Sequence, residues 1–468
     1  MADPEPLWTS AEIEAATGGR LQGAPFAVQG VSIDSRAIDA GDLFVALAGE
    51  RDGNDFIEGA LAKGAAGALA SKSGAGSRVV IGDTLVALET LGAAARDRAD
   101  AKRGAVTGSV GKTSLTQAIK LGLEMAGPAH GSVKSYNNHI GVPLTLARMP
   151  RATRRAIFEI GMNHVEEIRP LAHMVRPHAV AVSTVGPVHT ENFPDGEAGV
   201  ARAKAEIFAG LQPGGAAVLN ADNHWFDLLK GEAVAAGAKV VTFGSDDGCD
   251  ARLTGFRAIE GGAEVSASLH GRALRFPIRQ TGAHWGLNSL AVLLMLEALD
   301  VDLDTSLTAL AAFAPLSGRG AERTIAAATG PFVLIDESYN ANPVSLQAAM
   351  NTLGAHAAQG RRIAVLTDML ELGPEAERFH AQGADMAERA GIDLVFCAGP
   401  LMKFLWDALP PTRRGGYAQN AAELAPQVVQ AVAAGDVVMV KGSNGSKASA
   451  VAAALAALDN AEHPGGRG

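Results

Sequence analysis

One segment constrains this chain more than any other: Ala105-Val106-Thr107-Gly108-Ser109-Val110-Gly111-Lys112-Thr113-Ser114. A short apolar strand gives way to a glycine loop. Leu115, Ala118, Ile119 and Leu123 then recur at helical spacing. Glycines let backbone N–H groups close on phosphate oxygens, and the helix N-terminus adds its positive end. Lys112 is suited to neutralise β- and γ-phosphates, and the Thr113 hydroxyl to bind Mg²⁺. Gly108, Ser109, Val110, Gly111, Lys112, Thr113 and Ser114 are therefore expected nucleotide contacts. The general GxxxxGK[ST] pattern asks for glycine at 106, where this chain has Val106, so the loop is the shorter Thr-Gly-x-x-Gly-Lys-Thr form. A chance glycine turn would not bring strand, loop, Lys-Thr and helix together.

The rest of the chain must supply a fold around that loop. It has 468 residues, enough for two to four domains. Its 55 Gly and 21 Pro amount to about one residue in six, below the roughly 25–30% of low-complexity chains. With 47% hydrophobic and 19% charged residues it can bury a core. A net charge of −10 offers no global field for nucleic acid. Cys249 and Cys397 stand alone, which argues against a disulfide framework and for a reducing cytoplasm. No apolar run approaches 18 residues, and the acidic start lacks the order of a signal peptide. No membrane insertion is expected.

Three regions follow from the patterning. Residues 1–102 combine short strands (31–33 and 43–47) with helical stretches at 56–63 and 85–97. Residues 103–316 read as parallel α/β, with strands at 105–106, 156–160, 179–185 and 216–219, an antiparallel ribbon over 253–278 turning at His270-Gly271, and a helix over 287–299. Residues 317–468 resume α/β alternation after a Gly-rich linker, with strands at 332–335, 363–367, 394–397 and 437–440. The last six residues read as a disordered tail. The expected class is α/β in three domains: an N-terminal α/β domain, a central parallel-sheet phosphate-loop domain with an antiparallel ribbon, and a C-terminal Rossmann-like domain.

In such sheets ligands bind beyond the carboxyl ends of the strands. Glu159 lies at one end and His189 follows the next, both plausible Mg²⁺ partners beside a phosphate loop. Taken alone, Glu159 suits a strand-end salt bridge equally well, and His189 an ordinary loop. The run Ser135–Pro143, with Asn137 and Asn138, suits either a polar ligand or an Asn-rich turn. Asp336, in Asp336-Glu337-Ser338-Tyr339-Asn340-Ala341-Asn342-Pro343, suits a ribose, a cation or a helix cap.

Together these residues resemble the Mur ligase family, which forms amide bonds in peptidoglycan precursors with ATP. The shortened loop, Glu159-Ile160-Gly161 and the His189 loop occur in the family's order. Lys204-Ala205-Glu206-Ile207-Phe208 is similar to the segment whose lysine is carbamylated in many members; by its own pattern Lys204 is a solvated helix lysine. The Asp336–Pro343 segment, Asn137-Asn138-x-Ile140-Gly141 and Asp368–Gly373 resemble the member that adds D-alanyl-D-alanine. Asp34-Ser35-Arg36 resembles the family's UDP-binding domain. Trp285 departs from the family, which often has Asn there, while Asn288 matches its adenine contact. Asn444 stands where Arg is common.

The resemblance implies a cytoplasmic, monomeric ligase joining D-alanyl-D-alanine to UDP-N-acetylmuramoyl-tripeptide through an acyl phosphate. It implies ATP and two Mg²⁺ as cofactors, with metal ligands Thr113, Glu159, His189 and carbamylated Lys204, the last three catalytic with Lys112. It implies ATP contacts from Asn288, Arg319 and Asp336, and substrate contacts from Ser35, Arg36, Asn137, Asn138, Tyr339 and Asn340. The alternatives are a sister ligase or folylpolyglutamate-type ligase with the same chemistry, and a phosphate-loop ATPase without ligation.

Overall fold

The structure, a computed structural model, describes residues 5–133, 135–188 and 190–460. His189 and the expected tail at 463–468 lie outside the described residues. Three main sheets divide the chain in order. A five-stranded sheet is drawn from residues 20–80, a nine-stranded sheet from 102–278 and a six-stranded sheet from 321–441. This is the expected α/β class.

The central sheet positions the phosphate loop. It is parallel from Ala129–Gly131 across to Ala251–Ile259, which then pairs antiparallel with Gly262–Leu269, and that in turn with Arg272–Ile278. The turn at His270-Gly271 forms as expected, with φ of 49° and 83°. Strand Lys102–Thr107 pairs with Arg155–Glu159 on one side and Ala179–Val182 on the other. Helices cover both faces, so alternate residues enter different cores. Ala156 and Phe158 face one, and Ile157 the other. This explains why the strands read as unbroken apolar runs rather than alternating ones.

The first of those cores does not stop at the central domain. Trp8, Leu88 and Leu91 of the first domain pack with Val142, Leu144 and Leu146 of the second. Helix Thr84–Arg98 lies against helix Gly141–Ala147. Gly92 permits the approach, since a Cβ there would stand 3.0 Å from the Pro143 carbonyl oxygen. The Trp8 indole N–H donates to Ala147 O at 2.8 Å across the same seam.

The third domain keeps its cores to itself. The two clusters on its sheet faces contain only residues from Ile325 onward. Strand Val437–Lys441 sits between Gly330–Glu337 and Arg362–Thr367, the doubly wound arrangement that leaves a crevice at the strand ends. Two edge strands were not legible in the sequence. Arg414–Ala418 contains two consecutive glycines, and Ala321–Ala327 pairs antiparallel beside the linker. Strand Ala179–Val182 stops three residues short of the expected 185, because Ser183 turns to bond the phosphate loop.

Candidate active site

Register brings the first pieces together. Glu159 pairs with Val106, the last apolar residue before the glycine loop, so its side chain emerges beside that loop. Gly111, at φ 85°, ends the loop and starts helix Lys112–Met125. Thr113, in the first helical turn, donates its hydroxyl to Glu159 Oε2 at 2.7 Å. Asn137 Nδ2 donates to Glu159 Oε1 at 2.7 Å. Both carboxylate oxygens of this 1%-exposed side chain are thus held. The salt-bridge reading of Glu159 is not what the fold contains.

The loop itself is tied down from the next strand. Ser183 Oγ donates to Val110 O at 2.6 Å, and Ser109 Oγ to Gly186 O at 3.0 Å. Gly108 adopts φ 145°, and a Cβ there would overlap the Ser183 hydroxyl. Lys112 Nζ donates to Gly108 O at 2.6 Å, folded back over the loop. Burial lowers the Lys112 pKa and Arg319 adds to this, while Glu159 opposes them.

Lys204 is the largest departure from local expectation. The solvated reading fails: it is 2% exposed, on helix Glu197–Ala205. Burial, then repulsion from Lys112, pushes its pKa well below the usual lysine value. Two residues on, Glu206 accepts the backbone N–H groups of Glu166, Ile168 and Arg169 at 2.8, 3.2 and 3.1 Å. It thereby caps helix Ile168–Val175 from a distance and fixes the turn that follows Lys204.

The third domain closes the site from above. Asp336 is not the helix cap: Pro343 opens the helix, and Asn342 caps it through a reciprocal bond with Ser345. Asp336 instead accepts from Gly318 N at 3.0 Å and from the Ser338 hydroxyl at 2.5 Å, bracing the linker turn. Gly318 needs its φ of 72°, with Tyr339 Cβ 3.0 Å from where a side chain would start. Arg319 lies 3.9 Å over the Tyr339 ring. Lys441, which the sequence reading left without a role, is 2% exposed and donates to Glu337 Oε2 and Asn340 O at 3.2 and 3.0 Å.

A cavity of about 570 Å³ lies between the central and third domains. Ser109 to Ser114, Asn137, Glu159, Asn288, Arg319, Tyr339 and Asn340 all line it. So do residues with no assigned part: Ser135, Ser183, His284, Trp285, Asn342 and Lys441. Trp285 packs on Phe313 at 5.6 Å, so the residue standing in place of Asn extends the apolar wall. A wider opening of about 870 Å³ lies within the third domain, lined by Asp368, Gly399, Asn420 and Lys447. No phosphate-loop residue reaches it, so the chemistry belongs to the smaller cavity.

Other expected residues lie apart. Asn138 Oδ1 accepts from Gly141 N at 2.9 Å, serving the turn before helix Gly141–Ala147. Arg36 pairs with Asp34 at 2.9 Å on the exposed surface of the first domain, and Ser35 O accepts from Lys63 Nζ at 2.8 Å. Gly108, Asp336 and Lys204 are not among the residues lining the cavity. Among the described residues no group of three His, Cys, Asp or Glu forms a metal cage, and no helix is long and apolar enough to cross a membrane.

Sequence models of three Mur ligase domains follow the three sheets in order. The family's catalytic domain matches residues 27–102, its middle domain 106–296 and its glutamate ligase domain 323–444. The UDP-N-acetylmuramoyl-tripeptide–D-alanyl-D-alanine ligase of Escherichia coli K12 is 34% identical over 395 residues, 84% of this chain and 86% of that one. The enzyme of that name from Rickettsia prowazekii is 29% identical over 449 residues, covering 94% and 98%. A crystal structure of MurF from Acinetobacter baumannii superimposes with a TM-score of 0.84 at 27% identity, covering 97% of this chain and 99% of that one. With sequence, domain order and fold in agreement, the chain belongs to the Mur ligase family.

Proposed function

We propose that this chain is an ATP-dependent amide ligase joining D-alanyl-D-alanine to UDP-N-acetylmuramoyl-tripeptide in peptidoglycan precursor synthesis. One observation carries the reading. Lys112 and Glu159 of the central domain share a single cavity with Arg319, Tyr339 and Asn340 of the third. Relatives named for this activity, similar over most of their length, support the substrate pair. The domain bounds 1–102, 103–316 and 317–468 fit the extents of the sheets.

The chemistry brings a carboxylate up to the γ-phosphate of ATP, forming an acyl phosphate and ADP. The dipeptide amine then attacks the acyl carbon, and phosphate leaves. The obstacle is anion against anion. Lys112, whose charge burial disfavours, gains its counter-charge when the triphosphate arrives, which favours the ammonium where the phosphate lies. Arg319 brings a second cation from across the crevice, and closure keeps water from the acyl phosphate.

Mg²⁺ is commonly held by one or two carboxylates together with substrate phosphates. Thr113 and Glu159, hydrogen-bonded to each other beside the loop, are a donor set of that kind. When bound, Mg²⁺ neutralises phosphate charge. Lys204 fits the part of a second ligand in one respect: burial lowers its pKa and so favours the neutral amine, the form that takes up CO2 as a carbamate with release of a proton. His189 completes the proposed metal set, and Ser35, Arg36 and Asn138 remain proposed substrate contacts with Asn137, Tyr339 and Asn340. Asn288, Arg319 and Asp336 remain proposed ATP contacts. A monomer acting in the cytoplasm, where ATP and nucleotide-linked sugars are made, fits these assignments.

The test is phosphate release from ATP with UDP-N-acetylmuramoyl-tripeptide and D-alanyl-D-alanine, each omitted in turn. Release should need all three. Steady release from ATP alone would make the chain a plain ATPase, and ligation of another amine instead would make it a sister ligase.

A further inference from the structure

Ser135 belongs to the central domain, yet its hydroxyl is where side chains of two domains meet. The Tyr339 hydroxyl donates to Ser135 Oγ at 2.9 Å, and the Arg319 guanidinium to the same oxygen at 3.4 Å. On its other side the Ser135 and Thr113 hydroxyls stand 3.1 Å apart. Counting protons fixes the direction of that last bond. Thr113 has one hydroxyl proton and gives it to Glu159 Oε2, so Ser135 donates to Thr113. Ser135 then accepts Tyr339 and Arg319 on its two lone pairs and has no capacity left. A chain of like-directed bonds runs from the third domain through Ser135 and Thr113 to Glu159.

The geometry points to Ser135 as a positioning residue that couples docking of the third domain to the aim of the Thr113 hydroxyl and the Glu159 carboxylate. The cation concerned rests on the ligase reading above; the coupling rests on the hydrogen bonds alone. When the third domain departs, Ser135 loses both its donors and its own proton is free to turn to water. Thr113 is then no longer held from that side. With the domain docked, Thr113 receives one bond, gives one, and keeps one lone pair for a cation. Docking and cation binding therefore strengthen each other, and by reciprocity in equal measure. A bare phosphate loop with a carboxylate would bind Mg²⁺ and nucleotide equally well open or closed. This relay makes the closed form the better binder.

The test uses the full chain with Ser135→Ala, Tyr339→Phe and the double variant. One readout is the Mg²⁺ concentration for half-maximal ADP binding, measured by calorimetry. The other is the closed fraction with Mg²⁺ and ADP, from energy transfer between dyes on the central and third domains. Each single variant should raise the Mg²⁺ requirement about 3- to 10-fold, the loss of one neutral hydrogen bond, and lower the closed fraction. The double variant should be no worse than the worse single, because both cut one chain. Single effects that multiply, or an unchanged Mg²⁺ requirement in Ser135→Ala, would overturn the coupling. Ligation by the unmodified chain is assayed separately, so a failure of the ligase reading is distinguishable from a failure of the relay.

Discussion

Lys204→Met should make the unliganded protein more stable and nearly inactive, an opposition of signs that an ordinary structural lysine would not produce. The side chain is 2% exposed, and among the described residues no carboxylate pairs with it. Burying an amine with no carboxylate beside it costs about 1–3 kcal/mol in lost solvation, and a thioether of similar length escapes that penalty. In bicarbonate-depleted buffer near pH 10.5 the variant should gain roughly that amount, on the order of 1–3 kcal/mol, and more as the pH falls. The pH dependence has a definite sign. Unfolded Lys204 holds its proton up to the model value of 10.5, whereas the folded form gives it up at lower pH. Between the lowered folded value and 10.5 the unfolded chain binds more protons, so stability rises with pH. That contribution is about 1.4 kcal/mol per pH unit and should vanish in Lys204→Met. Urea unfolding across a pH series below 10.5 measures both terms. Trp225 is a built-in probe, since its N–H donates to Glu197 at the head of the helix that carries Lys204. Phosphate release in the presence of both substrates and bicarbonate should fall by about 100-fold or more, the worth of several kcal/mol of charge stabilisation. A variant less stable than the parent, or one whose stability difference is flat with pH, would show that the amine is charged and paired in the fold. The carbamate argument would then fall with it.

Lys112→Ala should abolish turnover while leaving the melting profile close to the parent's, because among the described residues the bond its side chain makes is to Gly108 O. Measurable turnover would refute the phosphate-loop assignment. Gly108→Ala forces a side chain onto the Ser183 hydroxyl at φ 145°, a strain of about 1–3 kcal/mol. Calorimetric ADP affinity should drop at least about 10-fold, with part of it recovered on adding Ser183→Ala. Asn342→Ala removes both halves of a capping box and should destabilise the third domain by about 1–2 kcal/mol. Unfolding followed by Trp406 fluorescence checks the stability change, and a lowered kcat checks the disturbance at Asn340.

How much of this was readable in advance depended on the range of the contacts. The phosphate loop is a local pattern, and the strand expected at 156–160, observed as Arg155–Glu159, was found because Ala156, Ile157 and Phe158 form an apolar run ending at Glu159. Burial of Lys204 was not legible because helix Glu197–Ala205 carries no clear apolar stripe to announce it. Of the alternatives for Asp336 the helix cap is excluded, since Pro343 moves the helix start to where Asn342 serves. Ser135 could not have been singled out, as its partners lie 184 and 204 residues further along. Asn138 shows the opposite case, where the ordinary turn considered for its segment is what forms.

The unequal seams between the domains have a kinetic meaning. Parting the first domain from the second would expose Trp8, Leu91, Val142 and Leu144 to water together, at about 1.5–3 kcal/mol for each large side chain. Parting the third mainly exchanges polar contacts, such as those at Ser135 and between Thr281 and Glu322, for bonds to solvent. Thermal motion therefore samples one opening, about the linker near Gly318, while the other joint stays shut. On the proposed ligase reading, a substrate held by the first domain would meet the phosphate loop across a joint that does not move, and the swing of the third domain alone would time the arrival of the amine.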